Sequence, residues 1–392
     1  MSLYISTIIT DNHLDKRFLS KIIQMKKYLF SFLFVFTSFL VSIPASAQVN
    51  SIGELMRGGI EDSNLLLENY LKPYTNGFGA GLNTGWNNSA RPYRTLGFDL
   101  RVNASLAFVP VADEVYDVAR IEPQFTNLEL FSTSGITPTI AGEDEVAGAR
   151  VGQMFTHPGT GEREELYSFE LPQGTGFPMV PTPMIQGTVG IPNDTDISLR
   201  LVPSVSVPNA EGQVSLFGIG AKHGLNQWIP GGKVMPIDIS LQFGYTQFNF
   251  DIEAEMQPES GADIRNDFHP SEWEDQRIEL KSSGYTANLL IGRNLPILSV
   301  FAGVGFQSST MEIITKGSYP ITAPNINYDP GTSPEPKAIE ALVDPIDISF
   351  EGDNSVHALA GFRVRLGFIA ISASYTISDY PVANVGIGFS MR

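Results

Sequence analysis

Residues able to do chemistry are few in this sequence, and their spacing does not suit catalysis. The chain contains no cysteine, and the histidines beyond residue 47 are His157, His223, His269 and His357. His269 and Glu272 have the i, i+3 spacing of a helical metal pair, but Pro270 lies between them in an acidic stretch. Neither a G-x-S-x-G motif nor an H-E-x-x-H motif occurs. We therefore predict no catalytic, cofactor-binding or metal-binding residues, and a protein that is not an enzyme.

Two further sets of charged residues need an interpretation. Acidic clusters at 143–145, 162–165 and 253–275 could hold calcium, but we interpret them as solvated loops. A second set lies within segments of alternating apolar residues, so that its members share the polar face of a strand: Asp99, Arg101, Arg363 and Arg365. If those faces enclose a lumen, these residues are candidate lumen-facing groups. They would then pair across the lumen, which we favour, or select a solute.

The composition excludes several classes of protein. The 392 residues include 25 Lys and Arg against 42 Asp and Glu, which gives a net charge of −17. A nucleic-acid partner would require the opposite sign, so none is expected. A hydrophobic content of 42% is ordinary, which argues against a disordered chain and against a bundle of membrane helices.

The N-terminus carries an export signal. Lys26 and Lys27 precede an uncharged, Leu- and Phe-rich run that ends in Ala45-Ser46-Ala47, the pattern of a cleavable secretory signal peptide over 25–47. Met25 is the expected start, which makes 1–24 a mis-called upstream extension. Pro44 argues against the alternative, a membrane anchor. An acidic exported chain without cysteine fits a bacterial envelope.

Strict alternation of apolar residues predicts long strands in the rest of the chain. Every second residue from Leu96 to Phe108 is apolar, and a strand that crosses a bilayer needs about 9–11 residues. Similar alternation occurs over 237–252, 285–291, 298–306, 356–366, 369–377 and 383–391, with weaker strands expected over 197–207 and 213–222. Gly77–Trp86 alternates glycine with larger residues and is predicted to be the first strand. After Thr246 the apolar phase switches to Phe248, which predicts a bulge or the membrane boundary.

The lengths of the links favour a membrane barrel over a soluble sandwich. Counted back from the C-terminus, short links and long links alternate, as expected when short turns face the periplasm and long loops face outward. The link 223–235 is a longer inner exception. An even strand number then predicts an all-β fold: a transmembrane antiparallel up-and-down β-barrel of about 12–14 strands with a short N-terminal helix, occupying 76–392.

Residues 48–75 are predicted to be a cap on the lower rim or a plug in the lumen. Within them the helix is expected from Ile52 to Leu71, with a break or kink at Gly58-Gly59. Ser51 and Glu54 have capping-box spacing, and Pro73 is expected to end the helix. The candidate plug or gate residues are Ile52, Leu55, Met56, Leu66 and Tyr70.

A resemblance to a known family rests on four segments: the leader, the helix, Gly77–Trp86 and Gly220–Pro230. Together they look like an uncharacterised family of Gram-negative outer-membrane β-barrels, over nearly the whole mature chain. That family is distantly similar to the long-chain fatty-acid transporter barrels. The hatch signature of the transporters is not matched residue for residue, so the resemblance implies no ligand-binding positions.

These observations lead to one functional hypothesis and two alternatives. The first is an outer-membrane barrel, exported by its signal peptide, that passively binds or admits a small hydrophobic solute. Its partners would be outer-membrane lipid, the barrel assembly machinery and that solute. The first alternative is a structural or interaction protein of the outer membrane with a closed lumen and functional acidic loops. The second is a soluble secreted β-sheet binding protein.

Overall fold

The computed structural model describes residues 59–156, 163–207, 212–254, 263–264, 276–324, 337–352 and 355–391. The leader and the candidate plug residues Ile52, Leu55 and Met56 lie outside the described residues. In chain order the strands of this part are β1 (Phe98–Phe108), β2 (Val115–Asp117), β3 (Glu129–Leu130), β4 (Ile136–Pro138), β5 (Arg150–Thr156), β6 (Arg163–Glu170), β7 (Met179–Ile191), β8 (Thr195–Val207), β9 (Gly212–Gly224), β10 (Asp238–Glu253), β11 (Asp263–Ile264), β12 (Arg277–Asn294), β13 (Leu298–Lys316), β14 (Ser318–Pro324), β15 (Lys337–Val343), β16 (Asp347–Glu351), β17 (Ser355–Leu366), β18 (Ile369–Ile377) and β19 (Val382–Met391).

Ten of these strands close into an antiparallel up-and-down barrel. Each pairs with its neighbours in the order β1, β7, β8, β9, β10, β12, β13, β17, β18, β19. The ring closes where β19 pairs with β1, from Phe98 opposite Met391 to Ala107 opposite Val382. The predicted fold class is therefore confirmed.

The barrel has ten strands rather than the 12–14 that we expected. The difference lies in residues 109–178, which leave the wall after β1 and return to it at β7. Their short strands pair among themselves: β2 with β4, β3 with β5, and β5 with β6. With at most eight residues each, they fall short of the about 9–11 residues that cross a bilayer. We call residues 109–178 the cap.

The two ends of the barrel differ as the link lengths predicted. At one end, the short-turn end, residues 192–194, 295–297 and 367–368 join neighbouring strands, and both β1 and β19 have their free ends there. Residues 225–237 form the longer link at this end and contain two 3-10 turns, Asn226–Trp228 and Gly232–Val234. The other end, the long-loop end, carries the cap and the long connections from β10 to β12 and from β13 to β17.

The wall has the inverse polarity of a soluble protein. On β1, Leu100 is 53% exposed, whereas the neighbouring Asp99 is 2% exposed and faces the interior. The same alternation runs round the barrel. Exposed outward residues include Leu199, Ile219, Phe243, Leu289, Val304, Ile371 and Ile387, and buried inward residues include Gln186, Arg200, Lys222, Gln242, Asn288 and Asn384. An apolar outer belt around a polar interior suits a wall surrounded by lipid.

Helix α1 (Ile60–Asn83) precedes the barrel, and it corrects two expectations. The helix continues through Pro73 instead of ending there. The segment 77–83 is helix, followed by an irregular segment, 84–97, rather than a first strand. Pro73 lacks the N–H group for one intrahelical hydrogen bond. The helix forms nevertheless, because the close contacts that α1 makes inside the barrel offset the loss of that bond. No helix among the described residues has both the length and the apolar character needed to span a membrane.

The apolar core lies at the long-loop end. There Leu66 and Leu67 of α1 pack with cap residues such as Val118, Val151 and Phe169, and with Ile348 of β16. The cap also contains helix α2 (Val118–Ile121) and the 3-10 turns Val111–Asp113 and Glu122–Gln124. The cap, α1 and the upper wall therefore share one core.

Candidate functional site

The candidate site is the lumen of the barrel, which helix α1 occupies. The helix contacts β13, β7, β1 and β12 from the inside. Three glycines on its lower half lie so close to the wall that an added Cβ would overlap wall side chains: Gly77 with Val180, Gly79 with Ser309 and Gly81 with Thr182. Glycine is required at these positions because no larger residue permits that approach.

The upper end of α1 is fastened to the cap. The buried Asp62 carboxylate accepts hydrogen bonds from the backbone N–H groups of Thr126, Asn127 and Leu128, at 2.7, 2.8 and 2.8 Å. The hydroxyl of Tyr70 donates to the carbonyl of Gln173 at 2.9 Å. Two of the candidate plug residues, Leu66 and Tyr70, are thus buried at the contact between the helix and the cap.

The lower end of α1 is fastened to the wall by a buried arginine. Arg200 of β8 donates to the carbonyl oxygens of Leu82 and Thr84, at 2.7 and 2.6 Å. Its guanidinium also lies over the indole of Trp86, 3.6 Å from the ring centroid. A cation at the C-terminal carbonyls of a helix is favoured because these carry the negative end of the helix dipole.

The four charged residues predicted to face the lumen are divided between the lumen and its rim. Asp99 and Arg101 are buried in the lumen, 3.4 Å apart, and Arg101 donates to the carbonyl of Trp86 at 2.7 Å. Arg363 is buried as well and donates to the Tyr93 hydroxyl at 2.8 Å. Arg365 lies at the short-turn rim, where it contacts the carbonyl of Pro296. The charges therefore bind the chain that follows α1 rather than lining an open channel.

Sequence reasoning missed Arg200, Asp62 and the pair formed by Lys222 and Asp196. Lys222 lies 3.4 Å from Asp196 and donates to the carbonyl of Ser89 at 3.2 Å. Arg200 and Lys222 carried a usable signal, since each occupies a polar position in an alternating strand. Asp62 carried none, because its partners are backbone groups 64 to 66 residues away.

The lower lumen is closely packed in the described part of the structure. Trp86, Phe301 and His357 are among the residues around a cavity of about 20 Å³ between the irregular segment and the wall. That space holds about one water molecule. His357 bonds Asn288 at 2.7 Å through one ring nitrogen, and its other ring nitrogen has no protein partner. The geometry leaves room for hydration there but not for a solute.

Higher in the lumen the packing is apolar and includes half-buried side chains. Leu82, Met184 and Leu216 form a buried cluster, against which Phe78, Val202 and Phe248 pack while remaining half-buried. The ring centroids of Phe78 and Phe248 are 4.8 Å apart, and half-buried Phe250 lies 6.5 Å from Phe248. We call this group of half-buried side chains, Phe78, Val202, Phe248 and Phe250, the apolar crevice.

The phase switch at Phe248 marks this crevice. The ladder between β10 and β12 is continuous from Asp238 to Glu253, so no bulge is present. Residues with the same parity as Thr246, including Phe248 and Phe250, therefore keep pointing inward. The outward residues on this stretch are polar, such as Asn249 and Asp251. Of the two explanations offered by the sequence, the membrane boundary fits and the bulge does not.

The wall beside the crevice is incompletely paired. β7 and β8 pair only between Gln186–Ile191 and Thr195–Arg200. Above that point β7 pairs with β1 alone, and β8 pairs with β9 alone as far as Val207. We call this stretch without ladder pairing, between Met179–Ile185 and Leu201–Val207, the seam.

Pro181 and Pro183 of β7 disfavour ladder pairing with β8 along the seam. The direction of the β7 backbone follows from two other residues: the carbonyls of Pro178 and Gly190 accept hydrogen bonds from the N–H groups of Val109 and Leu96, next to β1, at 3.0 and 2.9 Å. Even-numbered residues of β7 thus direct their backbone groups to β1, and Pro181 and Pro183 face β8. Proline has no N–H, so both positions lack the donor that a ladder with β8 would need.

Within the described ranges, no three His, Asp or Glu side chains are grouped so that they could hold a metal ion. The fold and the occupied lumen define the class of this protein: a plugged transmembrane β-barrel. The chain belongs to a family of unknown function, DUF6588, whose model matches residues 25–391. The predicted resemblance to an uncharacterised barrel family is thereby confirmed. No curated protein matches the chain.

Several solved structures of outer-membrane proteins align weakly with the chain. The chain aligns with Ail, the attachment invasion locus protein of Yersinia pestis, at 9% identity and a TM-score of 0.23, over 76% of this chain and 98% of that one. The translocator domain of autotransporter NalP from Neisseria meningitidis gives 10% identity and 0.23, over 85% and 98%. A Pseudomonas aeruginosa FadL homologue gives 10% and 0.19, over 81% and 96%.

Proposed function

We propose that this protein is a bacterial outer-membrane barrel that passively binds a small hydrophobic solute in the apolar crevice, with α1 as its gate. The observation that carries the proposal is the crevice itself. Half-buried aromatic side chains line it, in a lumen whose wall is largely polar, and such clusters favour apolar ligands. In this proposal the signal peptide exports the chain, the assembly machinery inserts it, and no catalysis takes place.

The seam supports a route for such a solute from the bilayer to the crevice. It lies between two strands whose outward side chains are apolar and exposed, such as Val189 of β7 and Leu201 of β8. Val202 of β8 and Met184 of β7 belong to the apolar cluster directly behind it. Unpaired backbone groups are costly in lipid, so an opening retained there is consistent with a use.

A photoreactive alkyl diazirine tests binding, with the protein in nanodiscs and the labelled peptides mapped by mass spectrometry. We expect label on the inward residues Phe248 and Phe250, and loss of that label in Phe248→Glu. Asn249→Glu, at the adjacent outward position, is the matched control and should leave the label on Phe250 unchanged. Label confined to outward residues in the wild type would refute binding in the crevice.

The route is tested by restoring the backbone N–H donors that Pro181 and Pro183 lack. Pro181→Thr combined with Pro183→Thr restores two N–H groups on the edge that faces β8, which should extend the ladder and slow labelling of the crevice. Unchanged labelling kinetics, with the crevice still occupied, would show that the solute enters elsewhere.

The close packing of the lower lumen favours one alternative, a structural or interaction protein of the outer membrane. That reading predicts neither crevice labelling nor conductance. The exposed apolar belt argues against the soluble secreted alternative.

A further inference from the structure

The link between β9 and β10, the longer connection at the short-turn end, presents apolar side chains to its surroundings. Trp228 is 72% exposed and Val234 is 86% exposed, and Ile229 and Met235 are exposed as well. A contiguous exposed group of apolar side chains marks a surface that contacts another component. We call residues 225–237 the inner link.

The inner link has a fixed conformation, because one side chain joins its two ends. The amide nitrogen of Asn226 donates to the carbonyls of Gly232 and Ile237, at 3.1 and 2.8 Å, and its amide oxygen accepts from the Ile239 N–H at 2.7 Å. Both 3-10 turns of the link lie within this span. The apolar side chains therefore belong to a preformed loop.

Trp228 is held on the outer side of the wall. The outward side chains of β9 are at odd-numbered positions, such as Phe217 and Ile219, whereas Lys222 is buried and faces the lumen. His223 therefore faces outward, and its Nε2 accepts a hydrogen bond from the indole N–H of Trp228 at 2.9 Å. The exposed ring thus lies beside the apolar belt rather than beneath the lumen.

The inner link is also attached to the turn between β7 and β8. An indole N–H can only donate, so Nε2 of His223 is an acceptor and its Nδ1 carries the proton. Nδ1 lies 2.7 Å from the hydroxyl oxygen of Thr195, the first residue of β8, which accepts. The amide nitrogen of Gln227 donates to the carbonyl of Asn193 at 2.9 Å. Two short connections of the barrel are therefore fastened together.

We propose that the inner link lies in the headgroup region of the periplasmic leaflet and binds phospholipid there. Short turns of membrane barrels face the periplasm, and the link continues the lipid-facing belt at that end. Tryptophan favours the membrane–water interface, where its ring contacts acyl chains while its N–H keeps a polar partner. The sequence of the link contains one charged residue, Lys233, and its positive charge complements the phosphate groups of the leaflet.

The consequence is a fixed lower end for the two strands that border the seam. Besides the bond from Gln227, the Gly224 N–H donates to the carbonyl of Asp194 in the turn between β7 and β8, at 2.7 Å. A link that is held in the leaflet keeps this turn at a constant depth, while the upper parts of β7 and β8 stay unpaired. The inference depends on insertion in the membrane but not on a solute in the crevice.

Nitroxide labels on single cysteines test the contact with lipid, because the chain has no cysteine of its own. The exported chain carrying Val234→Cys is placed in phospholipid nanodiscs. Its label is compared for access to molecular oxygen, which concentrates among acyl chains, and to a water-soluble nickel chelate. Val304→Cys on the belt and Val111→Cys on the cap, 56% and 79% exposed, are the references for lipid and for water.

We expect the label at position 234 to resemble the label at position 304, with high oxygen access and low nickel access. Its depth should be about 5–10 Å below the headgroup surface, as for other elements that lie in the interface. If Val234→Cys loses heat-modifiable mobility, Met235→Cys replaces it.

Two results would overturn the inference. Nickel access equal to that of the label at position 111 would place the link in water. Low access to both probes would mean that a second copy of the chain or a partner protein covers the link. Labelling of solute in the crevice is a separate measurement, so this inference and the proposed function can fail independently.

Discussion

The guanidinium of Arg200 lies 3.6 Å from the ring centroid of Trp86. The arginine belongs to the wall of the barrel and the tryptophan to the segment that follows the plug helix. The same guanidinium bonds the carbonyl oxygens of Leu82 and Thr84. One side chain therefore joins the wall to the end of the plug by a cation–π contact and two charge-assisted hydrogen bonds.

Replacing this arginine should loosen the plug. Arg200→Met keeps much of the volume but leaves two buried carbonyls without their donor, so we expect a loss of about 3 kcal/mol or more. The measurement is the temperature at which heat-modifiable mobility is lost in detergent. Planar-bilayer recordings should also show openings that the wild type lacks.

Arg365→Met is the matched control. Arg365 is partly exposed at the rim and makes one long contact, 3.4 Å to the carbonyl of Pro296. Its replacement should change stability by no more than about 0.5 kcal/mol. Equal effects of the two substitutions would mean that Arg200 does not hold the plug.

The close approach of α1 to the wall predicts a steric way to displace it. A side chain at position 81 would overlap Thr182, whereas an added Cβ at Gly187 meets no atom within 4 Å. Gly81→Val should unseat the lower half of the helix and raise conductance, and Gly187→Val should not. If neither variant raises the conductance of planar bilayers, the helix is not what closes the lumen.

The contact between Asp62 and the cap predicts where the plug opens first. Asp62→Asn keeps the shape but removes the charge from three backbone hydrogen bonds, a cost of about 2 kcal/mol. Hydrogen exchange should accelerate in the first turns of α1 and at residues 126–128. The exposed Glu68→Gln is the control and should leave exchange unchanged; equally fast exchange in both would contradict the assignment.

Asp344, which lies outside the wall, predicts that the stability of the connection between β13 and β17 depends on pH. Asp344 accepts a hydrogen bond from the Gly317 N–H at 2.8 Å and lies 3.1 Å from the Lys316 ammonium. These contacts, the backbone bond first, lower the pKa of Asp344. A carboxyl group whose pKa is lowered by folding stabilises the folded state at pH values above its pKa in the unfolded state. That stabilisation is lost as the pH falls through its pKa in the folded state.

The acid sensitivity of the connection between β13 and β17 should therefore decrease in Asp344→Asn. The effect is small, because the side chain is largely solvated. Hydrogen exchange at Gly317, followed between about pH 2 and 5, reports it. Identical pH profiles in the variant and the wild type would show that Asp344 does not stabilise this turn.

Much of the wall could be predicted from the sequence because a lipid-facing strand must alternate. The meander β17–β18–β19 and the ladder of β10, β12 and β13 follow from period-two patterns, and the alternation of link lengths separated the two ends correctly. The strand number could not be predicted in the same way. The cap contains strand-forming residues, and only their short length and mutual pairing exclude them from the wall.

The plug was harder to predict because its glycines serve tertiary contacts. Residues 77–85 alternate glycine with larger residues, which matches a strand, and both glycine and Pro73 weaken a helix. The helix forms because Gly77, Gly79 and Gly81 must pass close to Val180, Ser309 and Thr182. Contacts between residues about 100 or more positions apart leave no local signal, and the seam is equally invisible without the register of β7 and β8.

The central claim is that the exposed apolar belt faces lipid, and folding of the mature chain tests it most directly. The purified chain is placed in plain buffer, in detergent and in lipid bilayers, and strand content and heat-modifiable mobility are measured in each. The account predicts a folded barrel only where an amphiphile covers residues such as Leu100 and Phe243. A monomer folded in plain buffer, with the same strand content, would contradict it.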